Sequence, residues 1–350
     1  ITITDAIRKT SGGDVALRLK ATGAININAD ITSETLASAA TPTGKLSLEV
    51  TSDTNKTAGG SVSMASGTSI KTLGGSVKIG GGLVDNGVGF ANSQSAGEAG
   101  ITLNGVTIDT RVDPAGAPGT AGGSVEMAGS TTADAAGVLL AGSTIQTGTG
   151  KVTLIGKSTG SNAAVAKGIS IDGGSTITTR TVELRTDSIN LAGQITGDND
   201  PAGYAKVWTL SDGRAINFGT GTGGLDLAGN TFSGSGKITN FYKNIVGDAS
   251  QKANITVGGV TSDSDLELNT GAGTMAVSGT VDVASGHALT LASKGQVAGT
   301  GKITTDALRL DAADAEVSLT GANAVKNVDG KAKKLTLKNS GNLAVGAETG

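Results

Sequence analysis

The chain has 350 residues, 57 of them glycine and only seven aromatic, with 27 basic against 30 acidic side chains and a formal charge of −3. That balance excludes the basic face that nucleic-acid binding needs. The lack of cysteine excludes disulfide staples and thiolate metal sites, and no apolar run approaches the ~20 residues of a membrane span.

Glycine stands at more than double its usual share of about 7%. A chain so poor in aromatics cannot fill a thick core, but it can fill a narrow one with Val, Ile, Leu, Ala and Thr. Its β-branched alternation is too regular for a chain that avoids a core altogether. The sequence opens with ITIT, without an initiator Met or signal peptide. It ends just after another apolar alternation, Leu343 and Val345. Both ends therefore read as cut from a longer protein.

From the start of the chain, a unit of three short strands recurs. First strands are predicted to begin at Val15, Leu46, Val77, Val125, Val152 and Val182, and second strands at Ile25, Val62, Ile101, Val138 and Ile169. The third strand is marked by Ile31, Ile70, Ile108, Ile145 and Ile177. Within each, apolar residues alternate with small or polar ones, the period of a strand with one buried side. No window carries the i, i+3, i+4 stripe of a helix. The stretch Val138–Leu184 shows the unit most clearly, as VLLAGSTIQTGTGKVTLIG and then ISIDGGSTITTRTVEL.

Second and third strands are six to eight residues apart in every repeat, whereas the first-to-second interval runs from 10 to 24 and the third-to-first from 5 to 17. One tight corner and two extensible ones describe a three-sided repeat in which each strand lies beside its counterpart, roughly 4.8 Å away. A sandwich or meander would need Asn-Gly hairpins between long strands. Asn104-Gly105, an Asn-Gly with apolar flanks on both sides, falls inside a repeat instead. In the third strand, Ile70, Ile108, Ile145 and Ile177 are expected to stack inward, with Thr72, Thr110, Thr147 and Thr179 as a hydroxyl ladder at the corner. Ser69, Thr107, Thr144 and Thr176 are expected to face out. Residues 83–99, 111–122 and 157–167 are expected to project as loops.

From Asp198 the pattern breaks into a turn-rich stretch, and six of the seven aromatics lie between Tyr204 and Tyr242. Alternation resumes at Ile255. Leu266, Leu289, Leu308 and Leu335 each open a Leu-x-Leu pair, and GKIT occurs at Gly236–Thr239 and at Gly301–Thr304. The expected organisation is all-β: a right-handed, three-sided parallel β-helix over 1–197 with repeats of roughly 30 residues, an irregular aromatic insertion over 198–247, and a β-helix with shorter repeats over 248–350.

The phrases GGSVSMASGTSIKT, GGSVEMAGS, VLLAGSTIQTGTGKVTLIG and EVSLTGANAVKNV resemble filamentous-haemagglutinin-like exoproteins, the large two-partner-secreted adhesins of Gram-negative bacteria. The resemblance covers most of the chain and is weakest over 198–247. It rests on repeat style and composition. It implies a right-handed parallel β-helix, export through an outer-membrane secretion partner, and work at the cell surface or outside the cell, such as adhesion to glycans or proteins of a host or neighbouring cell. The Asn-Pro motifs of the family's secretion domain do not occur here, so export is implied for the parent protein only.

Candidate sites are few. His287, the only histidine, sits in SGHALTL without the partners that catalysis or metal binding needs, and reads as an exposed turn residue. The turn is Gly-His-Ala, and the adjacent aspartates and Arg-Ile-Lys triplet of pectin-degrading β-helices do not occur. Asp198, Asn199 and Asp200, and likewise Asp263, Asp265 and Glu267, have the oxygen donors of a calcium site but no calcium-roll nonapeptide, and read as solvated turn acids. Gly80–Gly82 lacks the Lys-Ser/Thr of a phosphate loop and reads as a corner. The outward Thr column lacks the flat Thr-x-Thr array of an ice-binding face, because its companions are Lys71, Asp109, Gln146 and Thr178. Tyr204, Trp208, Phe218, Phe232, Phe241 and Tyr242 form either a packed patch or a carbohydrate surface, with Tyr204, Trp208 and Tyr242 as the ligand-contacting candidates.

The expected role is a non-enzymatic shaft segment of a secreted or surface-attached adhesin of a Gram-negative bacterium, displaying binding loops and needing no cofactor. The alternatives are an extracellular fibre or matrix subunit that self-associates end to end, and a polysaccharide-active β-helix enzyme.

Overall fold

The computed structural model describes residues 1–34, 44–57, 59–85, 87–115, 119–219 and 223–346. Among them there is no helix, and the strands pair almost entirely in parallel. The protein is all-β, built of parallel sheets consistent with a β-helix or solenoid. It divides into two compact units, Ile1–Asp200 and Pro201–Gly350.

In the first unit the second strands form a seven-stranded parallel sheet. It runs through Thr2–Ile3, Ile25–Ile27, Val62–Met64, Ile101–Asn104, Val138–Ala141, Ile169–Ile171 and Ile189–Leu191. The interval between neighbours varies from 39 residues between Val62 and Ile101 to 20 between Ile169 and Ile189, yet the register never slips. The third strands stack as strictly. Ile7, Ile31, Ile70, Ile108, Ile145, Ile177 and Ile195 lie opposite one another in order. All but Ile7 are fully buried. A strand of three residues with one inward Ile hides little by itself. Placed between two identical neighbours about 4.8 Å away, each Ile gains roughly 1.5–3 kcal/mol from burial.

The corner after the third strand is held by hydroxyls. Thr72 donates to the Gly75 carbonyl (2.6 Å), Thr110 to Gly123 (2.5 Å), Thr147 to Gly150 (2.9 Å) and Thr179 to Thr181 (3.0 Å). All four side chains are buried. Each sits where the chain passes from the third strand into the first and gives a buried carbonyl a hydrogen-bond partner. At Gly148 the backbone takes φ +55°, and an added Cβ would lie 1.8 Å from the Thr120 carbonyl oxygen, so only glycine fits. Ser69, Thr107, Thr144 and Thr176 face outward, half-buried or exposed.

Two expectations are corrected. The first strands do share one parallel ladder, but Val77 lies opposite Leu48, not Leu46, and Leu48 opposite Leu17. The stack of Val182, Val152, Val125 and Val77 therefore continues into Leu48 and Leu17. Val15 pairs with Leu46 and is 48% exposed. The offset of two preserves which side faces inward, so alternation alone does not forbid it. Backbone bonds set it, since Leu46 N–H donates to the Thr72 carbonyl and Leu48 N–H to Ser76. Residues 83–99 are also not a projecting loop throughout. Leu83–Asp85 and Val88–Ser93 form an antiparallel hairpin. Its second strand joins the ladder, with Ala91 opposite Gly129 and Phe90 buried. Gly80–Gly82 serves this approach: an added Cβ at Gly81 would lie 2.3 Å from the Phe90 carbonyl oxygen.

The second unit repeats the scheme. Val207, Val246, Leu268, Leu291 and Leu310 lie in line on one ladder. Ile216, Ile255, Met275, Val297 and Val317 line up on another. Val260, Val281 and Ile303 form a third line. Leu266, Leu289 and Leu308 stack as spaced in the sequence, whereas Leu335 is 39% exposed. Within 198–247 the chain carries the strands Tyr204–Trp208, Ile216–Phe218, Leu225–Leu227, Ile238–Thr239 and Lys243–Gly247. Ile216–Phe218 has Leu225–Leu227 on one edge and Ile255–Val257 on the other, all parallel. Corner hydroxyls recur: Thr270 to Gly273 (2.8 Å), Ser293 to Gly295 (2.8 Å) and Thr305 to Ala307 (3.0 Å).

These interactions rank two substitutions. Thr147→Val keeps shape and loses one hydroxyl, and is expected to cost about 1–2 kcal/mol. Ile145→Asp places an unpaired carboxylate in the Ile stack and is expected to cost several kcal/mol more, on the order of 3–5. Urea denaturation of the two variants checks the order, and equal midpoints would contradict the inward stack.

Candidate functional site

The strand Tyr204–Trp208 reads YAKVW and alternates strictly. Ala205 and Val207 are fully buried, which turns Tyr204, Lys206 and Trp208 outward, half-buried, on one face. With a rise of about 3.3 Å per residue, the Tyr204 and Trp208 backbone positions are roughly 13 Å apart. Two aromatic side chains on one face at that backbone spacing can meet successive rings of an extended ligand.

Lys206 stands between them and fixes the arrangement. Its ammonium is 4.7 Å from the centroid of the Trp208 ring and 2.5 Å from Asp248 Oδ2. The first contact, worth about 0.5–1 kcal/mol at a partly exposed site, orients the indole. Burial pushes the Asp248 carboxyl up. Hydrogen bonds from Lys206 Nζ, the Ser250 hydroxyl and the Ser250 N–H outweigh it and hold the group down at about 2.

The neighbouring strands continue this face with ion pairs. Lys243 lies opposite Tyr204 and binds Glu267 Oε2 at 2.6 Å. Asp265, opposite Lys243, meets His287 Nδ1 at 3.1 Å, the Ala288 N–H at 3.0 Å and Arg309 Nη1 at 3.7 Å. His287 is thus a half-buried partner of Asp265 rather than an exposed turn residue, and its carbonyl accepts from the Thr305 hydroxyl.

The six clustered aromatics part company. Phe218, Phe232 and Phe241 are buried, with the first two rings 6.2 Å apart at 55°. Tyr204 and Trp208 share the outer face just described. Tyr242 is 43% exposed and stands one residue before Lys243, at the start of the neighbouring strand. The Lys206–Asp248 pair escaped the sequence reading, because 42 positions separate its members and only the ladder register brings them together.

The acidic turns have their own partners. Asp198 and Asp200 flank Arg180, at 3.0 and 3.2 Å, with Asn199 at φ +55° between them. Asp263 accepts from the Gly234 N–H. Among the described residues, no three His, Asp or Glu side chains converge on a shared ion position, and no helix is long and apolar enough to cross a membrane.

The Asp248 carboxyl makes the site's stability acid-sensitive in a defined direction. Its folded value of about 2 lies below the ordinary ~3.9. Its contribution is therefore complete above that ordinary value and is lost as pH falls toward 2. The stability gap between the parent chain and Asp248→Asn, measured by denaturant titration at pH 5, 4, 3 and 2, is expected to shrink at each step down. A gap independent of pH would contradict the assignment.

Compared with protein-family models, with curated proteins and with solved structures, the chain matches none.

Proposed function

We propose that the parallel ladders close into a right-handed, three-sided parallel β-helix. In this reading the chain is a structural segment of a secreted or surface-attached bacterial adhesin of the filamentous-haemagglutinin-like kind, non-enzymatic and exported through an outer-membrane partner. The supporting observation is the division of labour in the ladders. Apolar side chains stack inward in unbroken register, while length variation falls in the connections and polar or aromatic side chains face out. Such a framework provides length and display. The sequence resemblance supports the same reading.

The partner class is a glycan of a host or neighbouring cell, and Tyr204 and Trp208 are its contact residues. The support is their placement on one outward face, with the indole held by Lys206. Sugar rings present C–H faces to aromatic rings, and a rigid, half-buried indole loses little freedom on contact. His287 favours a non-enzymatic reading, since its Nδ1 and its carbonyl both serve neighbouring strands.

The test is a glycan array probed with the 350-residue chain and with Trp208→Ala. The expected result is a defined set of bound glycans whose apparent affinity falls about tenfold or more in the variant, as for a central aromatic contact, with the melting temperature nearly kept. Identical profiles for the two proteins, or turnover of a pectin- or glycosaminoglycan-type polymer, would contradict the reading.

A further inference from the structure

Two buried hydroxyls in the first unit have no hydrogen-bond partner among the described residues, Thr32 Oγ1 and Ser69 Oγ. Both line one cleft of about 390 Å³ on the outer side of the third strands. That volume is typical of a small-molecule site. Thr32 is only 7% exposed although it points away from the Ile stack, where Ile31 is its inward neighbour. A hydroxyl buried without a partner gives up its bonds to water and gains none in return. Two such residues lining one cleft form an arrangement that a ligand with hydroxyl groups would satisfy.

The register supplies the charges. Arg8, Thr32 and Lys71 lie side by side on successive strands, so the two cations flank the Thr32 hydroxyl at roughly 4.8 Å per strand. Arg8 Nη1 is engaged with Glu34 Oε1 at 3.5 Å. Asp30 Oδ1 accepts the Ser69 N–H at 2.8 Å. Lys71 is exposed and has no ion-pair partner among the described residues. The cleft thus offers one uncommitted ammonium, two uncommitted hydroxyls, and two carboxylates with acceptor capacity to spare.

We propose that this cleft binds an acidic sugar, a uronic or sialic acid, with its carboxylate on Lys71 and its ring hydroxyls on Thr32, Ser69 and the carboxylates of Asp30 and Glu34. A dianion such as phosphate fits less well, because Asp30 and Glu34 would repel its second charge. A neutral sugar leaves Lys71 unused. The assignment rests on the unit Ile1–Asp200 alone and does not need the aromatic strand.

The experiment is calorimetric titration of the full chain with glucuronic acid, N-acetylneuraminic acid, glucose and inorganic phosphate, repeated on Lys71→Gln, Thr32→Val and Trp208→Ala. The acidic sugars are expected to bind more tightly than glucose or phosphate, and whichever of the two is tighter identifies the class. Lys71→Gln is expected to weaken that binding about tenfold or more, as for loss of a charged hydrogen bond. Thr32→Val is expected to weaken it while the melting temperature holds or rises, because an unpartnered hydroxyl is replaced by a methyl. Binding lost in Lys71→Gln and binding lost in Trp208→Ala are read separately, so failure of the aromatic reading and failure of this one are distinguishable. No binding of either acidic sugar, phosphate binding as tight as theirs, or an affinity indifferent to Lys71→Gln would each overturn the proposal. A lower melting temperature in Thr32→Val would also overturn it, by showing that the hydroxyl already has a partner.

Discussion

A chain that changes direction every few residues turns carbonyl groups toward its own interior, and this protein depends on meeting them with buried hydroxyls. Thr72, Thr110, Thr147 and Thr179 do so in the first unit, and Thr270, Ser293 and Thr305 in the second. Each hydroxyl sits on a residue small enough to stay in line with the apolar stack. With the corners closed in this way, strands as short as three residues, such as Ile25–Ile27 and Val62–Met64, still pair in register.

The parallel ladder then separates inside from outside. Along the third strands the inward position is Ile in every repeat, while the adjacent outward positions change freely: Thr32, Lys71, Asp109, Gln146, Thr178 and Thr196 follow one another. A change at an outward position alters charge or hydrogen bonding without disturbing the stack, so one scaffold can carry several unlike surfaces. The outer side of Tyr204–Trp208 combines aromatics with a half-buried ion pair. The cleft beside Thr32 combines charge with unmatched hydroxyls. Neither surface contributes residues to the apolar stack beneath it.

Much of this was legible in the sequence, for a physical reason. Where a strand holds one inward Ile between near-constant turns, as at Ile70, Ile108, Ile145 and Ile177, spacing admits a single register. Where it holds three alternating apolar residues, as in Leu46, Leu48 and Val50, two registers bury the same side, and only the corner beside it decides. The hairpin was signalled by Asn86-Gly87 between LVD and VGF, a two-residue turn with apolar flanks, although Asn86 itself lies outside the described residues. Phe90 is buried because that hairpin folds back on the ladder, which composition alone does not foretell. The Lys206–Asp248 pair and the two unmatched hydroxyls were not legible, since each depends on side chains brought together across strands. Tyr204 and Trp208 were legible as candidates, and the alternation of YAKVW accounts for their common face.

Register is the claim on which the account stands, and the absence of cysteine from the chain makes it directly measurable. Glu49 and Lys78 lie opposite one another on the outer side of adjacent first strands, at a spacing of roughly 4.8 Å that a disulfide spans. Ser47 lies two residues away, opposite Ala16, and its offset from Lys78 is roughly 8 Å, too far for a disulfide. Oxidation of the double variant Glu49→Cys with Lys78→Cys is predicted to give an intramolecular disulfide in nearly all molecules, and Ser47→Cys with Lys78→Cys to give little. The reverse result, or no cross-link in either, would contradict the parallel, in-register ladder of the first unit.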